Sequence, residues 1–137
     1  MTDLFKSHGI VYQGICSLSP RETNKLLGRG AILLDIREVD YTDYKAFDAE
    51  NVLNLPKEKF EIQLNQLNPD KHYIVSDSSG IHTRDYAEKM ISAGFQHVAC
   101  LSGGFVEWER DGFPVREDIN ERLSGSCACQ LKPRERK

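Results

Sequence analysis

The stretch Tyr73-Ile-Val-Ser-Asp-Ser-Ser-Gly-Ile-His-Thr-Arg-Asp-Tyr-Ala-Glu-Lys-Met-Ile-Ser92 changes character twice within twenty residues. Tyr73 to Ser76 is a short, mostly apolar run and reads as a strand. Asp77 to His82 is polar, holds Gly80 and reads as a tight loop. From Thr83 to Ser92 the apolar residues Tyr86, Ala87, Met90 and Ile91 recur at helical spacing and predict an inner helix face, which Gly94 ends. A strand that runs through a tight loop into a helix aims several backbone N–H groups at one point. The N-terminus of the helix adds positive potential there. Such a cradle lowers the pKa of a cysteine or holds an anion, yet its first residue is Asp77. The plain alternative is that Asp77-Ser78-Ser79-Gly80 is merely a turn, with the aspartate accepting N–H bonds.

The flanking sequence repeats the alternation. Ser19-Pro20-Arg21-Glu22 has the residues of a capping box with proline at the first helical position, predicting a helix to about Leu27 that Gly28 and Gly30 close. Ala31 to Ile36 is an apolar run expected to be a buried, parallel strand. Val39 to Glu50 is polar and tyrosine-rich, with room for one helical turn. Val52 to Leu55 is a second short strand stopped by Pro56. Phe60, Ile62, Leu64 and Leu67 lie near helical spacing, and Asn68-Pro69-Asp70 makes a turn. Val98 to Leu101 is another strand, followed by Ser102-Gly-Gly104 and a helix with Phe105 and Trp108 that Gly112 closes. Trp108 is expected in the core. Strands alternating with helices at this spacing imply an α/β domain with a mostly parallel sheet. Ligands in such sheets sit at the carboxyl ends of strands, which is where the Asp77 loop falls.

At 137 residues the chain suits one domain, and 39% hydrophobic with 28% charged residues is the balance of a globular protein. A net charge of −3 does not favour nucleic-acid binding. The first residues lack an apolar leader and no apolar run approaches a membrane span, so a cytoplasmic location is expected. Cys16, Cys100, Cys127 and Cys129 form no disulfide framework and no zinc pattern. Free thiols in a reducing compartment are expected, with Cys16 and Cys100 as small buried hydrophobes. His8, His72 and His97 read as surface or turn residues without metal spacing.

Several motifs in order resemble a single-domain rhodanese over about residues 12–116. Leu34-Asp-Ile-Arg-Glu38 resembles the family's strand ending in Asp-x-Arg. Val52-Leu-Asn-Leu-Pro56 is similar to its Ala-x-Asn-x-Pro stretch, although Phe47-Asp48-Ala49 replaces the usual Gly-His-Ile. Gly94-Phe95, Leu101-Ser-Gly-Gly104, Trp108 and Asp111-Gly-Phe-Pro-Val115 are similar to the C-terminal signature. The resemblance implies a three-layer α/β/α domain over residues 12–117, between an N-terminal segment 1–11 and a polar tail 118–137. The family's active loop reads Cys-x-x-Gly-x-Arg-Ser/Thr. Asp77 takes the Cys place, Gly80 the Gly place, His82 the Arg place and Thr83 the Ser/Thr place.

Rhodaneses carry sulfane sulfur as a persulfide on that cysteine. A carboxylate cannot form one, and it places negative charge where an anionic donor would dock. His82 is not a fixed cation as arginine is. The resemblance therefore implies a loop of residues 77–83 (Asp77, Ser78, Ser79, Gly80, Ile81, His82, Thr83) filled by its own Asp77 carboxylate. Asp35 and Arg37 are expected beside it, as loop support or as a structural ion pair. The leading expectation is a rhodanese-like module for binding or regulation, without ordinary thiosulfate sulfurtransferase activity and without metal or cofactor. Its partner would be a protein or a small sulfur-containing anion. The alternative is a sulfurtransferase or persulfide carrier working through Cys127 and Cys129 in the tail, with one thiol carrying sulfur and the other resolving it.

Overall fold

The structure, a computed structural model, describes Phe5 and residues 8–117. In chain order the elements are β1 (Ile10–Tyr12), β2 (Ile15–Leu18), α1 (Pro20–Leu27), β3 (Ile32–Asp35), α2 (Val39–Tyr44), β4 (Lys45–Phe47) and β5 (Val52–Asn54). A 3₁₀ turn (Lys57–Lys59) then leads into α3 (Phe60–Leu64), β6 (His72–Ser76), α4 (Thr83–Ser92), β7 (His97–Leu101), α5 (Gly104–Arg110) and β8 (Val115–Glu117).

Six strands form the central sheet in the order β1-β2-β7-β6-β3-β5. All neighbours run parallel except β1, which pairs antiparallel with β2. Because side chains alternate along a strand, Leu33 and Leu34 point to opposite faces, and both are fully buried. On one face Leu33, Ile74, Ala99 and Leu101 pack against Leu26 and Leu27 of α1 and Phe105 and Trp108 of α5. On the other, Leu34, Tyr73, Val75 and Val98 pack against Phe60 and Leu64 of α3 and Ala87 and Met90 of α4. The result is the three-layer α/β/α arrangement expected, with strands apolar on both sides.

Local chemistry explains the element ends. Ser19 Oγ accepts from the Glu22 N–H at 3.1 Å, and a Glu22 carboxylate oxygen accepts from the Ser19 N–H at 3.0 Å, so the capping box at α1 is closed on both sides. The buried Trp108 ring meets Phe47 edge-on and Phe113 at a tilt, and its Nε1 donates to the Pro114 carbonyl at 2.8 Å. That bond holds the chain in place just before β8 pairs with β4.

Three readings from the sequence are corrected. His72 is a buried strand residue: it pairs in register with His97, and the two imidazoles stack at 4.0 Å. Phe5 covers His72 edge-on, which is how a polar ring sits in an apolar setting. Ile91 is 43% exposed, because α4 turns only a narrow stripe through Ala87 and Met90 to the sheet. Ile62 is 72% exposed, since the segment after Pro56 forms a 3₁₀ turn and a five-residue helix in place of a longer helix with one apolar face. β1 and the small β4–β8 sheet were not foreseen, because three-residue strands carry too little periodicity to read.

Replacing Trp108 with alanine removes a fully buried ring and leaves the Pro114 carbonyl without its donor. The expected cost is about 3–5 kcal/mol, read as a lower urea midpoint at constant slope.

Candidate functional site

Asp77 follows β6 at its carboxyl end and is 3% exposed. One carboxylate oxygen accepts the Gly80 N–H and, at 2.9 Å, the Thr83 hydroxyl. The other accepts the His82 N–H at 2.9 Å. The loop therefore closes around its own anion. Gly80 makes the turn possible with φ of +88°, a backbone region costly for other residues.

A second loop supports the first. The Asp77 carbonyl accepts from the Phe105 N–H and the Ser78 carbonyl from the Val106 N–H, each at 2.9 Å, tying the loop to the start of α5. A Cβ on Gly104 would lie 2.5 Å from the Asp77 carbonyl oxygen and 2.8 Å from the Gly80 nitrogen. Glycine at 104 is thus required by the approach of the two loops as well as by its own positive φ of +62°.

Asp35 and Arg37 form a buried ion pair beside the loop. Arg37 Nε reaches the Asp35 carboxylate at 3.0 Å and the terminal nitrogen reaches it at 2.8 Å. The guanidinium also donates to the Lys45 carbonyl at 3.0 Å and lies 4.1 Å from the centroid of the Phe105 ring. Arg37 is therefore fixed on several sides, by Asp35, by the start of β4 and by the Phe105 ring in the first turn of α5. It also lines a cleft of about 350 Å³ with Tyr41, Lys57, Asp77, Ser79 and His82. Ser78, Ser79, Ile81 and His82 are exposed there, whereas Thr83 is buried.

Lys57 and Tyr41 were missed in the sequence. Lys57 could have been found, because it directly follows Pro56 at the carboxyl end of β5, the end where ligands bind in such sheets. Tyr41 reaches the cleft from α2, for which the sequence has no comparable signal.

The two described cysteines are buried, Cys16 in β2 and Cys100 in β7. Burial pushes the Cys100 thiol up to about 12, the wrong direction for a nucleophile. Cys127 and Cys129 lie outside the described residues. Among the described residues no group of three or more His, Cys, Asp or Glu side chains is placed to hold a metal. No helix among them is long and apolar enough to cross a membrane.

A parallel α/β sheet with a polar loop and cleft at its carboxyl edge is the class of fold that binds or transforms small groups at that edge. The model of the rhodanese-like domain matches residues 19–111, and the chain belongs to that family. It is 30% identical over 99 residues to a thiosulfate sulfurtransferase, GlpE, of Actinobacillus pleuropneumoniae serotype 5b, a match covering 72% of this chain and 90% of the relative. It is 27% identical to rhodanese-like domain-containing protein 17 of Arabidopsis thaliana, covering 78% and 76%. Among solved structures, a rhodanese-like domain from Anabaena superposes with a TM-score of 0.68 at 20% identity, covering 88% of this chain and 92% of that one. The polysulfide-sulfur transferase homodimer of Wolinella succinogenes superposes at 0.66 and 24% identity, covering 76% and 80%.

Two outcomes are expected at this site. Arg37→Met strands the buried Asp35 carboxylate and lowers stability by about 3–5 kcal/mol in urea unfolding. In a Cys127→Ser/Cys129→Ser background, a thiol reagent at pH 8 should label neither Cys16 nor Cys100 until denaturant is added, because both are buried and Cys100 stays protonated.

Proposed function

We propose that this rhodanese-like chain serves in binding or regulation and lacks ordinary thiosulfate sulfurtransferase activity. The observation that carries the reading is the Asp77 carboxylate seated in its own loop, accepting from Gly80, His82 and Thr83. In the resemblance to the family, Asp77 stands at the place of the persulfide-carrying cysteine. A carboxylate oxygen has no route to a persulfide, and the donors that would receive an anionic donor molecule are already in use. Cys16 and Cys100 do not replace the missing thiol, being buried in the sheet. What remains accessible is the cleft surface, with Lys57, Glu38 and His82 beside the exposed Tyr41 and Ile81. That mixture of charged, polar and apolar side chains suits contact with a partner protein or, at Lys57, a small sulfur-containing anion held at the rim.

The test is a thiosulfate:cyanide assay on the wild type beside Asp77→Cys and Asp77→Cys/His82→Arg. The wild type should show no turnover above background, and activity should appear in the variants, more in the double one. Robust wild-type activity would sink the proposal. Intact-protein mass spectrometry after exposure to a sulfur donor completes the test. One added sulfur mapped to the peptide holding Cys127 and Cys129 would favour the tail as carrier.

A further inference from the structure

β1 is the outermost strand of the central sheet, and all three of its residues are large, apolar and exposed: Ile10 at 75%, Val11 at 67% and Tyr12 at 62%. Soluble proteins ordinarily guard such an edge with charge, proline or a bulge. The strand itself has no charged residue, no proline and no bulge, and Arg84 reaches only its Tyr12 end. The strand is instead held in position from both ends. The Gly9 N–H donates to the Glu22 carboxylate at 2.9 Å, and Arg84 donates to the Tyr12 carbonyl at 2.6 Å while lying over the Tyr12 ring. Gln13 and Gly14, with φ of +50° and +82°, form the two-residue turn to β2.

The hairpin register sets which backbone groups face outward. In a two-residue hairpin the residues flanking the turn, here Tyr12 and Ile15, form the closing hydrogen-bonded pair. The next pair, Val11 and Cys16, is therefore the non-bonded kind, so the Val11 N–H and C=O point away from β2 into the open edge. Among the described residues nothing takes them up.

We infer that this edge pairs antiparallel with β1 of a second copy of the chain, about a two-fold axis at Val11. The stretch is complementary to itself in that register. Val11 meets Val11 of the other copy and exchanges two N–H···O bonds, and Ile10 lies opposite Tyr12 twice, a β-branched–aromatic pair of the favoured kind. The strand carries no charge, so its copy meets no like charge across the axis. The clamps from Glu22 and Arg84 order the edge before contact, which removes part of the entropic cost of pairing. With only three residues on each side, the association is weak and concentration-dependent. It joins two central sheets through β1, none of whose residues lines the Asp77 cleft, so it holds whether or not that cleft is catalytic.

Sedimentation velocity on the full chain between about 10 µM and about 1 mM tests this. A shift from monomer toward dimer is expected with rising concentration. Val11→Lys sets like charges on the axis and should weaken association about tenfold or more, with an unchanged far-UV spectrum. Should that variant misfold, Val11→Pro carries the test. It deletes the outward N–H, which β2 does not use in this register, and so removes both N–H···O bonds exchanged across the axis while leaving Ile10, Tyr12 and the Arg84 contact in place. A monomeric wild type across the range, or undiminished association of folded Val11→Lys or Val11→Pro, overturns the inference.

Discussion

The carboxylate of Asp77 is the point on which the site turns. A loop that brings the N–H groups of Gly80 and His82 and the hydroxyl of Thr83 to one place needs an acceptor there, since donors left unsatisfied in a buried setting are costly. In this chain the acceptor is covalently part of the loop. The cradle is therefore closed in the resting molecule, and the backbone around it is fixed without any ligand. The Asp77 and Ser78 carbonyls are then free to face the other way and receive the N–H groups of Phe105 and Val106. One side chain thus links β6, α4 and the start of α5.

Support for that linkage spreads outward through packing. Gly104 lets the two loops touch, and Phe105, next in sequence, carries the Arg37 guanidinium on its ring. Arg37 is held in turn by Asp35 at the end of β3 and by the Lys45 carbonyl where β4 begins. The two residues that resemble the family's Asp-x-Arg thus form a buried ion pair beside the loop, with Arg37 also bordering the cleft. A buried ion pair of this kind is weak evidence for stability overall, but removal of either partner alone is severe. The same contacts that position the loop also leave Lys57, His82, Tyr41 and Ile81 around the cleft.

Much of this was legible in the primary structure. The change from strand period to helix period around Asp77, the Ser19–Glu22 box and the glycines at 80 and 104 each have a local cause, and each predicted its element or turn. The seven residues of the loop fall together because they are contiguous. Asp35 and Arg37 fall beside it because parallel strands place their carboxyl ends together. His72 was misread because a polar residue near a Pro69-Asp70 turn looks exposed. Its burial depends on His97 and Phe5, residues distant in sequence. Ile62 and Ile91 were misread because apolar spacing indicates a face without saying how wide a stripe the sheet covers.

Sequence by itself determined the alternation of the main strands and helices, the mostly parallel α/β class, the loop and the absence of a thiol from it, because those follow from local spacing and residue chemistry; the three-layer arrangement was implied by the family resemblance. Only the tertiary structure decided where the Asp77 carboxylate points, that Arg37 is held by Asp35 and faces Phe105, and that Lys57 and Tyr41 border the same cleft. It alone also left Ile10, Val11 and Tyr12 uncovered at the outer edge of the sheet. The physical reason is common to all of these. Hydrogen-bond direction, burial and exposure are set by which distant segments pack together, and no window of neighbouring residues contains that information.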